Sequence, residues 1–259
     1  MPHATPDPSY ACLAMYPFEP IRTAWEGIWD AVHRSAPWTP AALRWTDDVQ
    51  ATWVDPHCVV GQACGWPVAA LLSGSVEVVG AFALTIPDAR GHRYRSVLVA
   101  RDRQPLDELA ARGAIVAANS ADSLSGWISL LAAVAAAGIT TGWPGEVVWS
   151  GAHIASLGCV QDGRAEMACI DPLSLAHIRR HFPDLVAGLH EIGHGPLVPS
   201  PPVIVPAGTP PALIASLRDA FTWAASDPAV TGARAELRID GFVALDHDEY
   251  QTTLALATA

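Results

Sequence analysis

Apolar residues recur along the chain at two spacings, which alternate with each other. Short apolar runs bounded by Pro, Gly or charged residues predict strands over residues 10–16, 42–46, 76–84, 94–101, 114–118, 146–149, 166–170 and 202–205. Helical spacing predicts helices over residues 21–34, 61–73, 123–137, 152–161, 173–181, 210–226 and 246–256. Strands that alternate with helices are typical of an α/β fold with a parallel sheet.

Two Pro- and Gly-rich stretches, near residues 87–93 and 193–202, flank a block of alternating strands and helices. A block with two connections close together in space is typical of one domain inserted in another. We therefore predict two α/β lobes joined by two crossover segments. The predicted bounds are 1–100 for the first part of lobe 1, 101–195 for lobe 2, and 196–259 for the return segment of lobe 1.

Composition supports a large folded core and excludes partners that need a basic surface. The 259 residues are 51% hydrophobic and 16% charged, with a formal net charge of −11. A protein that binds nucleic acid needs a basic face, so nucleic acid is excluded as a partner. All 15 basic residues are arginines, which excludes Schiff-base chemistry and any lysine general base.

Cysteine usage and the N-terminal sequence predict the compartment. The five cysteines are widely spaced without a Cys-x-x-Cys pair, which favours reduced, buried thiols. No basic segment followed by an apolar run opens the chain, and the longest apolar segment, 128–139, is about half a membrane span. We expect a cytoplasmic protein without membrane insertion, or a periplasmic or lipid-anchored one if a leader has been removed.

The loop at residues 119–126 is the strongest candidate for ligand chemistry. It carries Asn119, Ser123, Ser125 and Gly126, and it connects a predicted strand to a predicted helix. The first amides of a helix lack internal partners and favour negative charge, so hydroxyls and a glycine there are suited to an anion. Simple helix capping by Ser or Asp is the alternative interpretation.

A second strand-to-helix junction repeats this arrangement. Ser150 precedes the predicted helix, His153 lies in its first turn, and Ser156 follows three residues later on the same face. His153 is suited to donate a hydrogen bond to an oxyanion, although a lone histidine is usually a partly exposed polar residue. Ligand crevices form at the carboxyl ends of strands in α/β sheets, which brings both junctions to one place.

Other polar and aromatic residues lie at predicted strand or helix ends. Asp171 ends a strand and is suited either to contact a ligand group or to cap the next helix. Gln62 lies near a predicted helix start, and Tyr16 and Tyr94 lie at the ends of predicted strands. Aromatic side chains at a cleft mouth can wall a ligand, and ordinary packing is the alternative.

One motif points to different chemistry. His190, Glu191 and His194 match the His-Glu-x-x-His signature of zinc proteases, which needs both histidines on one face of a helix. Pro196 ends any helix soon after His194, and we find no third ligand at the required spacing. A zinc hydrolase is therefore the least favoured function, and no metal or cofactor is predicted.

Three segments together, 119–126, 150–156 and 160–171, resemble the phosphate/phosphonate-binding proteins of ABC transporters. The resemblance implies a type 2 periplasmic-binding-protein fold that captures a small anionic ligand between two lobes without a cofactor. It implies an ABC transporter permease as a partner if the protein is exported. It implies ligand-binding roles for Tyr16, Gln62, Tyr94, Asn119, Ser123, Ser125, Gly126, Ser150, His153, Ser156 and Asp171.

Two departures from the family keep an enzyme open as the alternative. No leader is apparent, and Glu166 stands where the family more often has Asp. The same fold also serves cytoplasmic enzymes such as menaquinone-pathway dehydratases and thiamine-pyrimidine synthases. In such an enzyme of lyase or biosynthetic type, His153, Asp171 or Cys64 would be the catalytic groups.

Overall fold

The computed structural model describes residues 9–139 and 141–257. Its strands, in chain order, are β1 (Tyr10–Cys12), β2 (Cys58–Gln62), β3 (Val76–Leu84), β4 (Ala89–Arg90), β5 (Arg93–Ala100), β6 (Val116–Ala118), β7 (Val147–Trp149), β8 (Met167–Ile170), β9 (His190–Pro199), β10 (Pro202–Pro206) and β11 (Ile239–Ala244). Its α-helices are α1 (Arg22–Ser35), α2 (Val49–Thr52), α3 (Gly65–Ala70), α4 (Leu106–Ala111), α5 (Ser129–Ala136), α6 (His153–Gln161), α7 (Pro172–His181), α8 (Pro211–Ala224), α9 (Thr231–Leu237) and α10 (His247–Gln251). Short 3₁₀ turns cover Glu19–Ile21, Pro183–Val186, Pro228–Val230 and Thr252–Ala257, and a π-helical segment, Leu124–Ile128, precedes α5.

The strands form two sheets, each covered by its own helices. The first sheet has the order β1-β2-β10-β3-β11, and with α1–α3 and α8–α10 it makes what we call the first lobe. The second sheet has the order β4-β5-β8-β6-β7, with β9 beside β5, and with α4–α7 it makes the second lobe. The predicted two-lobed α/β architecture is confirmed.

The sheets are mixed rather than purely parallel, which corrects the expectation of parallel sheets. In the first sheet, β10 returns from the second lobe and lies antiparallel between β2 and β3. In the second sheet, β6 pairs in parallel with β7 and β8, whereas β5 runs antiparallel to β8 and β9. A returning strand can enter a sheet in the opposite direction without a crossover helix, which alternation of elements does not reveal.

Two adjacent crossovers, at residues 85–88 and 200–201, connect the lobes. Ser200, in the second crossover, bonds to the chain on either side of the first. Its amide donates to the carbonyl of His92 at 2.7 Å, and its hydroxyl donates to the carbonyl of Phe82 at 3.0 Å. The strand β5 ends at the predicted boundary of residue 100 yet pairs within the second sheet. The three-part division at residues 100 and 195 stays a prediction.

Several element predictions need correction near the N-terminus. Residues 42–46 contribute only an isolated bridge between Leu43 and Ala11. The helix predicted over 61–73 begins at Gly65, because Gly61 and Gln62 belong to β2, which pairs with β1 and β10. The strand in this part of the chain is therefore β2, and not the predicted strand over residues 42–46.

The His-Glu-x-x-His segment is a strand, which rules out the zinc-protease geometry for it. His190, Glu191 and His194 lie in β9, paired with Ala100, Val99 and Val97 of β5. Four residues of a strand span about 13 Å, so the two histidines cannot bind one zinc ion at about 2 Å each. Glu191 forms an ion pair with Arg179, and His194 lies 3.0 Å from Asp88. As an edge strand beside β5, β9 tolerates its prolines.

Within the two described ranges, no helix has both the length and the apolar character required to cross a bilayer.

A buried histidine makes stability depend on pH. His177 in α7 is 1% exposed beside Phe18, and burial, with His181 as the next cause, lowers its pKa to about 4. The unfolded chain takes up this proton near pH 6.5, so the free energy of unfolding falls as pH decreases from about 6.5 to 4. We expect His177→Leu to remove about 2–3 kcal/mol of the loss between pH 7 and 4.5, measured by urea unfolding. His57→Leu, at an exposed site, is the control and should keep the full pH-dependent loss of stability. If the His177 variant loses as much stability between pH 7 and 4.5 as wild type does, His177 is not the source of the pH dependence.

Candidate functional site: a cleft between the lobes

A cavity of about 430 Å³ lies between the lobes. The first lobe contributes Tyr16, Trp53 and Cys64 to its wall. The second lobe contributes residues from the ends of β6, β7 and β8: Asn119, Ser123, Ser125, Gly151, Ala152, His153, Asp171 and Ser174. Strand ends from both lobes therefore face one cleft, as expected for a ligand crevice in an α/β fold.

The π-helical segment after β6 presents Ser125 to the cleft. Ser123 caps the segment, because its Oγ accepts a hydrogen bond from the Gly126 amide at 3.0 Å. A Cβ atom on residue 126 would overlap Oδ1 of Asn119, so a larger residue there requires that side chain or the segment to move. π-helical turns are rare and occur frequently at functional sites. Here the segment leaves Ser125 buried in the wall of the cleft.

Ser125 and His153 lie together although they come from separate junctions. The Oγ atom of Ser125 is 3.0 Å from Nε2 of His153, the first residue of α6. Burial lowers the pKa of His153, and the negative charge of Asp171 opposes that shift. The Nδ1 atom of His153 is buried, and no described residue offers it a hydrogen-bond partner. The pair therefore presents neutral donors and acceptors to the cleft near pH 7.

Asp171 of the second lobe contacts the first lobe across the cleft. Its Oδ1 accepts from the amide of Ser174 at 2.7 Å and caps α7, and its Oδ2 accepts from the Tyr16 hydroxyl at 3.3 Å. Burial, followed by the charge of Asp171, raises the pKa of both Tyr16 and Tyr94 well above the ordinary value. Both tyrosines therefore remain protonated donors at any physiological pH.

The comparison with protein families decides which family this architecture represents. Residues 67–250 match the sequence profile described as "ABC transporter, phosphonate, periplasmic substrate-binding protein". The chain belongs to this family. No curated protein sequence matches the chain.

Solved structures show that the fold of this phosphonate-family chain is widespread. The binding-protein component of an ABC phosphonate transporter from Pseudomonas aeruginosa is 15% identical, with a TM-score of 0.73 over 96% of this chain and 84% of that one. PhnD1 from Prochlorococcus marinus, in complex with methylphosphonate, is 10% identical, with a TM-score of 0.75 over 96% of both chains. MatC from Rhodopseudomonas palustris, with bound malate, is 14% identical, with a TM-score of 0.62 over 98% of both chains. At these identities the likeness concerns the fold alone.

The cleft of this family member contains seven of the eleven predicted site residues. Those that line it are Tyr16, Tyr94, Asn119, Ser123, Ser125, His153 and Asp171. Gly126 does not line the cleft, and its amide already donates a hydrogen bond to Oγ of Ser123.

The remaining three predicted residues do not line the cleft. The hydroxyls of Ser150 and Ser156 lie 2.7 Å from each other and support the loop that precedes α6. Gln62 lines a separate cavity of about 10 Å³ together with Tyr16 and Trp25. In the described part of the chain, its Oε1 has no hydrogen-bond partner.

Sequence reasoning missed the acidic residues of the cleft. Asp47, Asp48 and Asp122 line it together with Asp171, whereas no arginine does so among the described residues. Asp47 and Asp48 lie in a loop that only the tertiary fold brings to the cleft. The cleft therefore offers neutral donors from Ser125 and His153, with carboxylates around the rest of the space.

Proposed function

We propose that this chain is the solute-binding component of an ABC transporter. It captures a small anionic ligand, of the phosphonate or phosphate-ester type, in the interlobe cleft and delivers it to the permease. The observation that carries the proposal is the meeting of Ser125 and His153, 3.0 Å apart, in the wall of an interlobe cavity. Both side chains project from the first turns of helical segments, where an oxyanion is favoured.

The size and polarity of the cleft support a head group with a substituent. A cavity of about 430 Å³ lies within the range of small-molecule sites. Hydroxyls and an imidazole on one wall suit a tetrahedral oxyanion, and no lysine is needed for it. The carboxylates of Asp48 and Asp122 favour a substituent that is neutral or positively charged over a second anionic group.

Calorimetry with a ligand panel tests this proposal. The protein is unfolded and refolded to remove co-purified ligand, then titrated with methylphosphonate, an aminoalkylphosphonate, phosphate, sulfate and malate. We expect one-to-one binding of at least one phosphonate, and weaker binding of malate because its two carboxylates face the acidic wall. Binding of malate alone, or no binding at all, would sink the proposal.

An enzyme on this fold is the second candidate, and the Ser125–His153 contact is the observation that favours it. That distance matches the distance between a nucleophile and its general base. No described group orients Nδ1 of His153, and burial raises the pKa of Cys64 to about 11, which keeps the thiol protonated. These features favour binding over catalysis. Conversion of a bound ligand, followed by ³¹P NMR, would support the enzyme instead.

A further inference from the structure

We propose that Asp171 is a positioning residue that links the lobes through Tyr16. From its place in the second lobe it holds Tyr16 of the first lobe, and it favours the closed cleft before a ligand arrives. We call Asp171 and Tyr16 the tyrosine latch. The latch deepens the proposed function, and its effect on ligand affinity rests on that function.

The oxygens of Asp171 are already engaged on both sides of the cleft. Oδ1 accepts the Ser174 amide within the second lobe, and Oδ2 accepts the hydroxyl of Tyr16 from the first lobe. The side chain is 3% exposed, so water competes little for these bonds. At 3.3 Å the bond from Tyr16 is longer than a usual O–H···O bond, but its acceptor is a buried carboxylate, so it favours the arrangement in which the lobes touch.

Tyr16 is fixed in the first lobe by what lies behind its ring. The ring stacks on Trp25 of α1, with centroids 6.5 Å apart and planes inclined by 5°. The cavity behind it, about 10 Å³, has room for about one water molecule, and Leu173 of the second lobe closes it. Tyr16 therefore cannot withdraw from Asp171 while the lobes are together, and the two must separate when the lobes part.

Tyr94 lies in the second lobe, like Asp171, next to the connection between the lobes. It pairs with Ala89 of β4 directly after the crossover at residues 85–88, and its side chain is 2% exposed. Burial, followed by the negative charge of Asp171, raises its pKa, so Tyr94 remains a protonated neighbour of the latch.

Small-angle X-ray scattering of the ligand-free protein tests the latch without any ligand. We expect Tyr16→Phe and Asp171→Asn each to raise the radius of gyration, and the double variant to raise it no further. Asparagine retains the cap of α7, so helix loss does not account for the change. Asp122→Asn is the matched control: it removes the same charge from the cleft wall and should leave the radius unchanged.

Affinity provides a second measurement if the proposed function holds. Each single variant, and equally the double variant, should weaken methylphosphonate binding about tenfold, or 1.4 kcal/mol. If the wild-type protein binds no phosphonate, the proposed function fails. The radius of gyration of the ligand-free variants still tests the latch in that case. An unchanged radius in both variants would overturn the latch. A loss of affinity in Asp171→Asn that is much larger for an aminoalkylphosphonate than for methylphosphonate would also overturn the latch, because Asp171 would then be a ligand contact.

Discussion

Replacing Ser125 with alanine is expected to weaken methylphosphonate binding between about tenfold and a hundredfold. The variant loses a hydroxyl from the cleft wall, and the proposed contact is a hydrogen bond to a charged oxygen, worth about 1.5–3 kcal/mol. It also leaves Nε2 of His153 without its partner at 3.0 Å. Isothermal titration calorimetry at pH 7 measures the change directly.

The matched control for this prediction is Ser226→Ala. Ser226 is an exposed serine just after α8, where its hydroxyl bonds only to carbonyls of its own helix. Its removal should leave ligand affinity unchanged. An affinity in the Ser125 variant equal to that of the Ser226 variant would remove Ser125 from the site.

Replacing Gly126 with alanine is expected to lower the free energy of unfolding by about 1–3 kcal/mol and to weaken ligand binding as well. The new methyl group overlaps Oδ1 of Asn119, so that side chain or the π-helical segment must move. A shift of the π-helical segment displaces Ser125, the residue directly before Gly126. Urea unfolding and calorimetry on the same preparation report the two effects separately.

Gly158→Ala is the control for the glycine prediction. Gly158 lies inside α6, and a Cβ atom there meets open space. Alanine in a helix interior should stabilise the protein by about 0.5–1 kcal/mol because it restricts the unfolded chain. Stability of the Gly126 variant at or above wild type would show that the loop accommodates a side chain.

Much of the fold is predictable because its elements carry their own local signals. The bounds of β3 match the predicted strand, and α1 and α6 begin within one residue of prediction. By contrast, β9 contains Gly193, Gly195 and Pro196, which locally oppose a strand. Its pairing with β5 overrides that preference, and a pairing partner one hundred residues away leaves no local mark.

The candidate site shows the same division between local and tertiary information. Ser125 and His153 were predictable because strand-to-helix junctions point to a common edge of the sheet. Gln62 lies in β2 and faces a second cavity, a direction that depends on the register with β10. Asp47 and Asp48 reach the cleft through a loop whose path no periodicity encodes.

The position of β10 also sets the order in which the protein can be completed during synthesis. Strands of the second sheet all come from one continuous stretch, β4 to β9, whereas β10 must enter between β2 and β3 after that stretch has been made. The second lobe can therefore fold while the first sheet still lacks its central strand. A nascent chain that stops before residue 202 has no complete first lobe, and so it cannot form the cleft that would capture a ligand.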